Sequence, residues 1–357
     1  MLETSPVVQA DARARLWEGG VIPAQPLALT RDRTFDERRQ RAILRYHVES
    51  GSLGIATAVH STQFSVHDEH RAYLAPLLEL AAETVAEYPN QKPLLVAGVT
   101  GMVPKARQTA ELAAGLGYDF VLLSGYGCDD LDERQLLDRA AAVSEVLPVI
   151  GFYLQPAVGG RVLSTDYWRR MAELPNVVGI KVAPFDRYGT LDVMQGLALS
   201  ERADQVALYT GNDDNIVFDL VSRFPALNAR GDRVDLTFRG GLLGQWAVWT
   251  KTAVETLEVT RRARNGDVEA TREALRISQA LTDANGAIFD AKNGFKGVIP
   301  GIHEVLRRHG LLEGIWLLDE TETLSPGQLR EIDRVWDAYP ELRDDAFIAE
   351  HLDRWLR

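Results

Sequence analysis

Short apolar segments alternate with helical segments about eight times along this chain, and this alternation restricts the possible folds more than any other feature. Residues 177–180 (VVGI) are typical, because the run is too short for a helix and indicates a strand buried on both faces. The other predicted strands lie at 21–30, 53–59, 93–99, 119–125, 148–154, 205–210 and near Leu242. Strands that alternate with helices pair in parallel, and about eight repeats favour a closed (β/α)8 TIM barrel.

An open doubly wound sheet is the alternative for such a pattern. No G-x-G-x-x-G follows the first predicted strand, so a dinucleotide-binding fold loses its main support.

The predicted domains are an N-terminal arm (1–20), the barrel (21–245) and a C-terminal helical extension (246–357). Residues 34–37 (TFDE) form a predicted capping box, and residues 325–328 (SPGQ) predict a helix with Pro at its first position. Residues 225–241 are either an inserted loop with a small hairpin or a long approach to the eighth strand.

Composition and charge exclude several classes of partner. The 357 residues carry a formal net charge of −12, which argues against nucleic acid or an anionic membrane as the main partner. No apolar run approaches the roughly 20 residues of a membrane span, and the first residues lack the apolar region of a secretory signal. Cys128 is the single cysteine, so an intramolecular disulfide is impossible. These features predict a cytoplasmic protein.

Polar residues follow several predicted strands at the end where a barrel carries its chemistry. They are Ser61, Thr62, Gln63, Tyr126, Tyr153, Lys181, Asn212 and Asp213. Lys181 is the most informative of them, because a lysine at the end of a buried strand must be paired, reach solvent or have a lowered pKa. Lysine in an apolar pocket is the usual route to an amine that attacks carbonyl groups.

Five short segments carry a resemblance to a known family. They are TFDE (34–37), HSTQF (60–64), YLQP (153–156), GIK (179–181) and GND (211–213). In this order and spacing, they resemble the dihydrodipicolinate synthase / N-acetylneuraminate lyase family of Schiff-base barrels over about residues 21–324. The family has Gly-Thr-Thr-Gly-Glu at the second segment, Tyr-x-x-Pro at the third, the imine-forming Gly-x-Lys at the fourth and Gly-x-Asp at the fifth. The step of 28 residues from Tyr153 to Lys181 also suits the family.

The resemblance implies that Lys181 condenses with the carbonyl of a 2-oxo acid such as pyruvate, and that Tyr153 moves protons between substrate and lysine. It also implies that Ser61 and Thr62 bind the carboxylate of the oxo acid through hydroxyls and backbone N–H groups. The catalytic residues predicted in this way are Lys181, Tyr153 and Thr62. The predicted substrate-binding residues are Ser61, Thr62, His60, Gln63, Tyr126, Gln155, Asn212 and Leu243. The resemblance implies no metal and no organic cofactor, and it implies a homo-oligomer, a dimer or tetramer.

The part of the family pattern that selects the second substrate is altered. Phe64 stands where the family has Glu, and His60 and Gln63 replace its two flanking glycines. Dihydrodipicolinate synthases have an arginine after Tyr-x-x-Pro that binds the carboxylate of the second substrate, whereas here the next arginine is Arg161. We therefore expect a lyase, either an aldolase or a dehydratase, that does not catalyse the lysine-biosynthesis reaction itself.

Two further hypotheses stay open. One is a metal-dependent barrel enzyme that uses His60, His67 and Asp213, suggested by the H-x6-H-x2-H pattern at 60–70. The other is a non-catalytic barrel that binds a keto acid or a sugar acid, suggested by the altered 60–64 segment.

Structural roles are also possible for two of the polar residues. Lys181 is placed to form an ion pair with Asp186 or Glu173, and Asp213 is placed to cap the helix that follows it.

Overall fold

The computed structural model describes residues 6–357, with side chains described from residue 10 onward, and residues 1–5 of the predicted arm lie outside it. Its strands, in chain order, are β1 (Val21–Pro23), β2 (Gly54–Thr57), β3 (Leu94–Val99), β4 (Phe120–Leu123), β5 (Val149–Leu154), β6 (Val177–Ala183), β7 (Ala207–Thr210), β8 (Phe224–Leu227), β9 (Arg233–Leu236) and β10 (Phe238–Leu243). Eight of them form one sheet in the order β1-β10-β7-β6-β5-β4-β3-β2, in which every pairing is parallel. The other two, β8 and β9, form an antiparallel hairpin, so residues 225–241 hold an inserted hairpin.

The barrel closes between β1 and β2. Leu53 N donates to Val21 O at 2.8 Å, and Gln25 N donates to Ala56 O at 2.8 Å just beyond the end of β1. Closure removes the exposed sheet edges that an open parallel sheet would carry. The predicted TIM barrel is therefore confirmed, although β1 is shorter than the predicted strand at 21–30.

Helices alternate with the barrel strands and continue after them. They are α1 (Pro6–Glu18), α2 (Glu37–Glu49), α3 (Leu74–Ala86), α4 (Val103–Gly115), α5 (Glu133–Ser144), α6 (Thr165–Glu173), α7 (Arg187–Leu199), α8 (Ile216–Val221), α9 (Thr250–Arg264), α10 (Val268–Ile288), α11 (Val298–Arg308), α12 (Gln328–Ala338) and α13 (Asp345–Trp355). Within residues 6–357, no helix is long and apolar enough to cross a membrane.

Two predicted helix starts are wrong. The N-cap of α2 is Asp36, whose carboxylate accepts from Arg39 N at 3.0 Å, whereas the Thr34 hydroxyl is hydrogen-bonded to that of Thr30. The N-cap of α12 is Gly327 at φ +86°, so Pro326 lies before the helix and not at its first position.

The two ends of the barrel are covered by different parts of the chain. At the amino end, Ala12 and Leu16 of α1 join the buried cluster that contains the first residues of β3 and β4, Leu94 and Phe120. Tyr209 Oη donates to Leu16 O at 2.7 Å and holds the helix there. At the carboxyl end, α10 and α11 of the C-terminal extension face the ends of the strands. The domain boundary at residue 245 stays a prediction.

Candidate active site

Lys181 lies in the interior of the barrel near the end of β6. The residue is 6% exposed, and its neighbour across the ladder on β5 is Phe152. Lys181 Nζ lies 4.2 Å from the centroid of the Phe152 ring. In the described part of the chain, Asp186 caps α7 by accepting from Gly189 N, and Glu173 pairs with Arg169. Neither acid is paired with Lys181, so the alternative of a structural ion pair with Asp186 or Glu173 does not hold.

Burial lowers the pKa of the Lys181 amine below its ordinary value, and the Asp213 carboxylate opposes this shift. The physical cause is that a low-dielectric environment disfavours the charged ammonium. A larger fraction of the amine is therefore neutral near pH 7 than for an exposed lysine. A neutral amine has the free electron pair that attack on a carbonyl carbon requires.

A cavity surrounds Lys181 at the carboxyl end of the barrel, and we call it the lysine cavity. It encloses about 530 Å³ of space, including the open solvent at its mouth. Its polar lining residues are His60, Ser61, Gln155, Lys181 and Asp213. Its other lining residues are Ala24, Val59, Phe152, Leu154, Val158, Ala183, Phe185, Gly211, Gly244, Phe289, Val298 and Ile302. A few polar groups among many apolar ones is the usual composition of a small-molecule site.

Asp213 is the acidic group of the lysine cavity. Its Oδ1 accepts from Gln245 N at 2.8 Å, and its backbone oxygen accepts from Asn285 Nδ2 at 2.6 Å. Burial raises the pKa of Asp213, while the hydrogen bond from Gln245 and the charge of Lys181 lower it. The N-cap of the next helix is Asn215, so the expected capping role of Asp213 is wrong. The structure instead places an acid of raised pKa in the same cavity as the amine.

His60 and Ser61 lie in a tight turn that follows β2. The ring of His60 meets the ring of Phe64 edge-on, with 5.6 Å between centroids. Burial lowers the pKa of His60 to about 4, and the charge of Lys181 adds to the shift. The imidazole is therefore neutral at pH 7, with one nitrogen able to donate and one able to accept. Ser61 Oγ donates to Ala24 O at 2.8 Å, which leaves its oxygen as an acceptor.

Tyr153 does not reach the lysine cavity. It is paired with Val182, one residue beyond Lys181, and successive residues of a strand point to opposite faces. Its ring packs on Trp168 of α6, with 5.2 Å between centroids, in the outer layer between barrel and helices. A Cβ added to Gly189 would lie 3.1 Å from Tyr153 Oη, so the hydroxyl lies at the start of α7. The expectation that Tyr153 and Lys181 meet is wrong in this structure.

The side chains of Thr62 and Gln63 form hydrogen bonds with backbone groups and do not line the lysine cavity. Thr62 is fully buried, and its Oγ1 donates to Gln25 O at 2.5 Å and accepts from Val59 N at 3.1 Å. Gln63 Oε1 accepts from Leu318 N at 2.7 Å and ties the turn to the C-terminal extension. Neither residue lines the lysine cavity, although both were predicted to bind substrate.

Three other predicted substrate-binding residues lie outside the lysine cavity. Asn212 is buried in a network with Phe185 N, Thr190 Oγ1 and Asp219 Oδ2. Leu243 is fully buried in the outer layer. Tyr126 is 42% exposed and stacks on Phe64, with 4.4 Å between ring centroids. Tyr126 therefore lies on the outer side of the 60–64 turn.

Four of the predicted site residues do line the cavity, namely Lys181, His60, Ser61 and Gln155. Sequence reasoning missed the residues of the C-terminal extension, Phe289, Val298 and Ile302, because apolar residues on a helix carry no sign of which cavity they cover. It also missed Phe152, which the alternation of β5 directs towards Lys181.

The positions of the candidate ligands do not support the hypothesis of a metal site. His67 Nε2 is hydrogen-bonded to Ala58 O at 2.8 Å, and His67 is absent from the lining of the lysine cavity. Among the side chains that the structure describes, no three His, Cys, Asp or Glu residues are grouped so as to hold a metal ion.

The chain is similar to known proteins in both sequence and fold. It is 28% identical over 186 residues to the 4-hydroxy-tetrahydrodipicolinate synthase of Halorhodospira halophila, covering 50% of this chain and 57% of the relative. It is 29% identical over 200 residues to the same enzyme of Aromatoleum aromaticum, covering 54% of this chain and 63% of the relative. The similarity thus spans less than two thirds of these relatives. No protein-family model matches the chain.

Solved structures extend the similarity of fold over most of the chain. Dihydrodipicolinate synthase from Oceanobacillus iheyensis superposes with a TM-score of 0.71 at 17% identity and covers 93% of this chain and 99% of its own. N-acetylneuraminate lyase from Fusobacterium nucleatum, solved in complex with pyruvate, superposes with a TM-score of 0.71 at 16% identity and covers 92% and 99%. The chain is therefore similar in sequence to 4-hydroxy-tetrahydrodipicolinate synthases, and it shares the barrel fold of the dihydrodipicolinate synthase and N-acetylneuraminate lyase structures.

Proposed function

We propose that this protein is a lyase, an aldolase or a dehydratase, that forms an imine between Lys181 and the carbonyl carbon of pyruvate or another 2-oxo acid. The observation that supports this most strongly is the position of Lys181, an amine of lowered pKa in a small, largely apolar cavity at the carboxyl end of the barrel. The fold relatives that were solved with pyruvate support the choice of substrate class.

The proposed reaction begins with attack of the neutral Lys181 amine on the carbonyl carbon. The carbinolamine that results loses water and becomes a protonated imine, which withdraws electrons from the bond beta to it. That bond then breaks or forms, as a C–C bond in an aldolase or a C–O bond in a dehydratase. Hydrolysis of the imine restores the amine.

Proton transfers in this cavity are assigned to Asp213 and His60. The raised pKa of Asp213 lets its carboxyl group both accept and donate a proton near neutral pH, which general acid–base catalysis requires. His60 is neutral at pH 7 and offers one donor and one acceptor. We assign binding of the oxo acid's carboxylate to the side-chain amide of Gln155 and the backbone N–H of Ser61, because the Ser61 hydroxyl already donates to Ala24 O.

Borohydride trapping tests this proposal. The protein is incubated with pyruvate, reduced with borohydride, and its intact and digested masses are measured. The expected result is a pyruvate-sized adduct on the peptide that contains Lys181. The adduct should be absent in Lys181→Met and present in Lys292→Ala, a control at a surface lysine paired with Glu331. No adduct with pyruvate or with a panel of other 2-oxo acids would refute the imine.

A second candidate is a non-catalytic barrel that binds a keto acid or a sugar acid. The orientation of Tyr153 and the engaged hydroxyl of Thr62 favour it, because two groups to which the family resemblance assigns catalysis lie away from the cavity. This candidate predicts that calorimetry detects pyruvate binding to the wild type, whereas borohydride reduction traps no adduct on Lys181.

The homo-oligomeric state and the cytoplasmic location that the sequence indicated stay predictions.

A further inference from the structure

The polar side chains of the lysine cavity are all occupied in the proposed reaction. Lys181 forms the imine, and His60 and Asp213 move protons. The side-chain amide of Gln155 binds the carboxylate of the oxo acid, and the Ser61 hydroxyl donates to a backbone oxygen. The remaining side chains of the lining are apolar. The part of a substrate that extends beyond the oxo acid therefore meets an apolar wall.

Two apolar side chains of the C-terminal extension lie close to the Asp213 carboxylate. A Cβ added to Gly244 would lie 3.9 Å from Asp213 Oδ2. The same atom would lie 3.3 Å from Phe289 Cζ and 3.8 Å from Ile302 Cδ1. A carbonyl compound whose oxygen takes a proton from Asp213 therefore has its substituent close to these apolar side chains.

Phe185, in the loop after β6, adds an aromatic ring to the same wall. Its ring meets that of Phe295 edge-on, with 5.4 Å between centroids, and its backbone N donates to Asn212 Oδ1 at 3.1 Å. The backbone of Phe185 has φ +51°, which is uncommon for a residue with a side chain. The contacts with Phe295 and Asn212 hold the ring at the cavity in spite of this conformation.

The charges of the lining leave no counter-charge for a second acidic group. In the described part of the chain, Lys181 is the only lysine or arginine that lines the cavity, and His60 is neutral at pH 7. Once Lys181 is part of the protonated imine, the carboxylate of the oxo acid matches its charge. A further carboxylate, or several hydroxyls, would lose hydration without gaining partners, which is unfavourable. The cavity therefore disfavours a charged or polyhydroxylated reaction partner.

We propose that the compound joined to the oxo acid is an uncharged, apolar aldehyde, and that Phe185, Phe289 and Ile302 select it. This inference rests on the proposed function and chooses its aldolase form.

The reaction with such an aldehyde conserves all atoms of both substrates. Asp213 removes a proton from the methyl carbon of the pyruvate imine, and the enamine that results attacks the aldehyde carbon. A C–C bond forms, and the electron pair of the C=O bond moves to the aldehyde oxygen, which takes the proton back from Asp213. Water then hydrolyses the imine, frees Lys181 and releases a 4-hydroxy-2-oxo acid.

Condensation of pyruvate with two pairs of aldehydes tests the proposal. Initial rates are measured from the 4-hydroxy-2-oxo acid formed, which is identified by its mass. Glyceraldehyde adds two hydroxyls to propanal, and succinic semialdehyde has a carboxylate where butanal has a methyl group. We expect kcat/KM to be at least about 10-fold higher for propanal than for glyceraldehyde, because an apolar pocket rejects an added hydroxyl by up to about 100-fold. For butanal over succinic semialdehyde we expect about 100-fold or more, because a charge is costlier to bury than a hydroxyl.

Val298→Asn and Val268→Asn are a matched pair of variants, since each valine is the first residue of a helix. Val298 is half-buried and lines the lysine cavity, whereas Val268 is 61% exposed at the start of α10. Val298→Asn should reduce the preference for butanal over succinic semialdehyde by about 10-fold, and Val268→Asn should leave it unchanged. A ratio of two rates does not depend on the amount of folded protein, so a loss of stability cannot imitate this effect.

Borohydride trapping on the same protein separates the failure of this inference from the failure of the proposed function. If pyruvate is trapped on Lys181 but the two aldehydes of each pair react equally fast, or succinic semialdehyde reacts faster than butanal, the apolar partner is overturned and imine formation stands. The same holds if pyruvate is trapped but none of the four aldehydes gives a product. If no adduct forms on Lys181, the proposed function fails, and the selection of an aldehyde fails with it.

Discussion

Phe152 and Lys181 are partners across the β5–β6 ladder, and Lys181 Nζ lies 4.2 Å from the centroid of the Phe152 ring. The contact places an aromatic face against the amine, at a distance where a cation is attracted by the ring. The pairing of Phe152 with Lys181 also shows which residues of β5 face the interior of the barrel. Phe152 and Leu154 face the interior, so Tyr153 between them faces the helices.

Tyr153→Phe should have little effect on the chemistry at Lys181. The hydroxyl lies in the outer layer beside α7, so its removal should leave the rate of borohydride trapping with pyruvate within about threefold of the wild type. The loss of stability should be at most about 1 kcal/mol, because one hydrogen-bonding group is removed. The role implied by the family resemblance predicts a rate loss on the order of 10²–10⁴ for a general acid–base residue. A loss of that size would show that the side chain turns inward during catalysis.

The pH dependence of imine formation should reflect the pair formed by Lys181 and Asp213. Because burial lowers the pKa of Lys181, the trapping rate should rise with pH and level off below the ordinary lysine value of 10.5. Asp213→Asn removes the negative charge that raises the lysine pKa, so the midpoint should move to more acidic pH. The amide oxygen of Asn can still accept from Gln245 N, which preserves the local hydrogen bond. A midpoint that stays in place or moves to more alkaline pH would contradict the coupling.

Gly211→Ala should displace the reactive lysine without unfolding the barrel. A Cβ at this position would lie 2.7 Å from Lys181 Cε, which can move with its flexible side chain, and 2.7 Å from Ala183 Cβ, which can separate only by a small shift of the backbone. A displacement of about 1 Å can reduce a rate up to ~100-fold, so we expect trapping to slow by about 10-fold or more.

The matched control for that variant is Gly286→Ala in α10, where an added Cβ meets no atom within 4 Å. It should leave trapping unchanged and stabilise the fold by roughly 0.5–1 kcal/mol, since alanine suits a helix interior better than glycine. Equal trapping rates in the two variants would indicate that Lys181 tolerates the shift.

Asp344→Ala should be strongly destabilising. Its carboxylate is buried and accepts from Tyr46 Oη at 2.6 Å, Lys251 N at 2.8 Å and Thr252 N at 3.0 Å, which ties the start of α9 to α2 and α13. Removal leaves buried donors unpaired, and we expect a loss of about 3 kcal/mol in the free energy of unfolding, measured by urea denaturation.

Asp353→Ala, at an exposed position in α13, is the control for that measurement and should change the stability by less than about 0.5 kcal/mol. Similar urea midpoints for both variants would mean that the Asp344 network contributes little.

Much of the fold followed from local sequence patterns. The repeated alternation of apolar strands and helices predicted the closed barrel, because strand and helix periods are properties of short segments. The same reasoning placed Lys181 near the carboxyl end of a buried strand, and His60 and Ser61 in the turn that follows another strand. The five segments that resemble the family predicted a barrel of this kind, and the fold of the solved structures confirms it.

The composition of the cavity depended on contacts between distant parts of the chain. Motif spacing placed Tyr153 beside Lys181, but the pairing of β5 with β6 decided which face of the strand each side chain occupies. Asp213 was predicted as a helix cap, but its carboxylate accepts from Gln245 N, which follows the neighbouring strand β10, and it lines the lysine cavity.

The sequence alone therefore determined the barrel, the position of the lysine and the resemblance to the dihydrodipicolinate synthases. Only the tertiary structure decided that Phe289 and Ile302 close the lysine cavity and that Tyr153 faces outward. The physical reason is one of range. Backbone periodicity acts over a few residues, whereas cavity walls, burial and charge pairing are set by side chains that meet only when the barrel has closed.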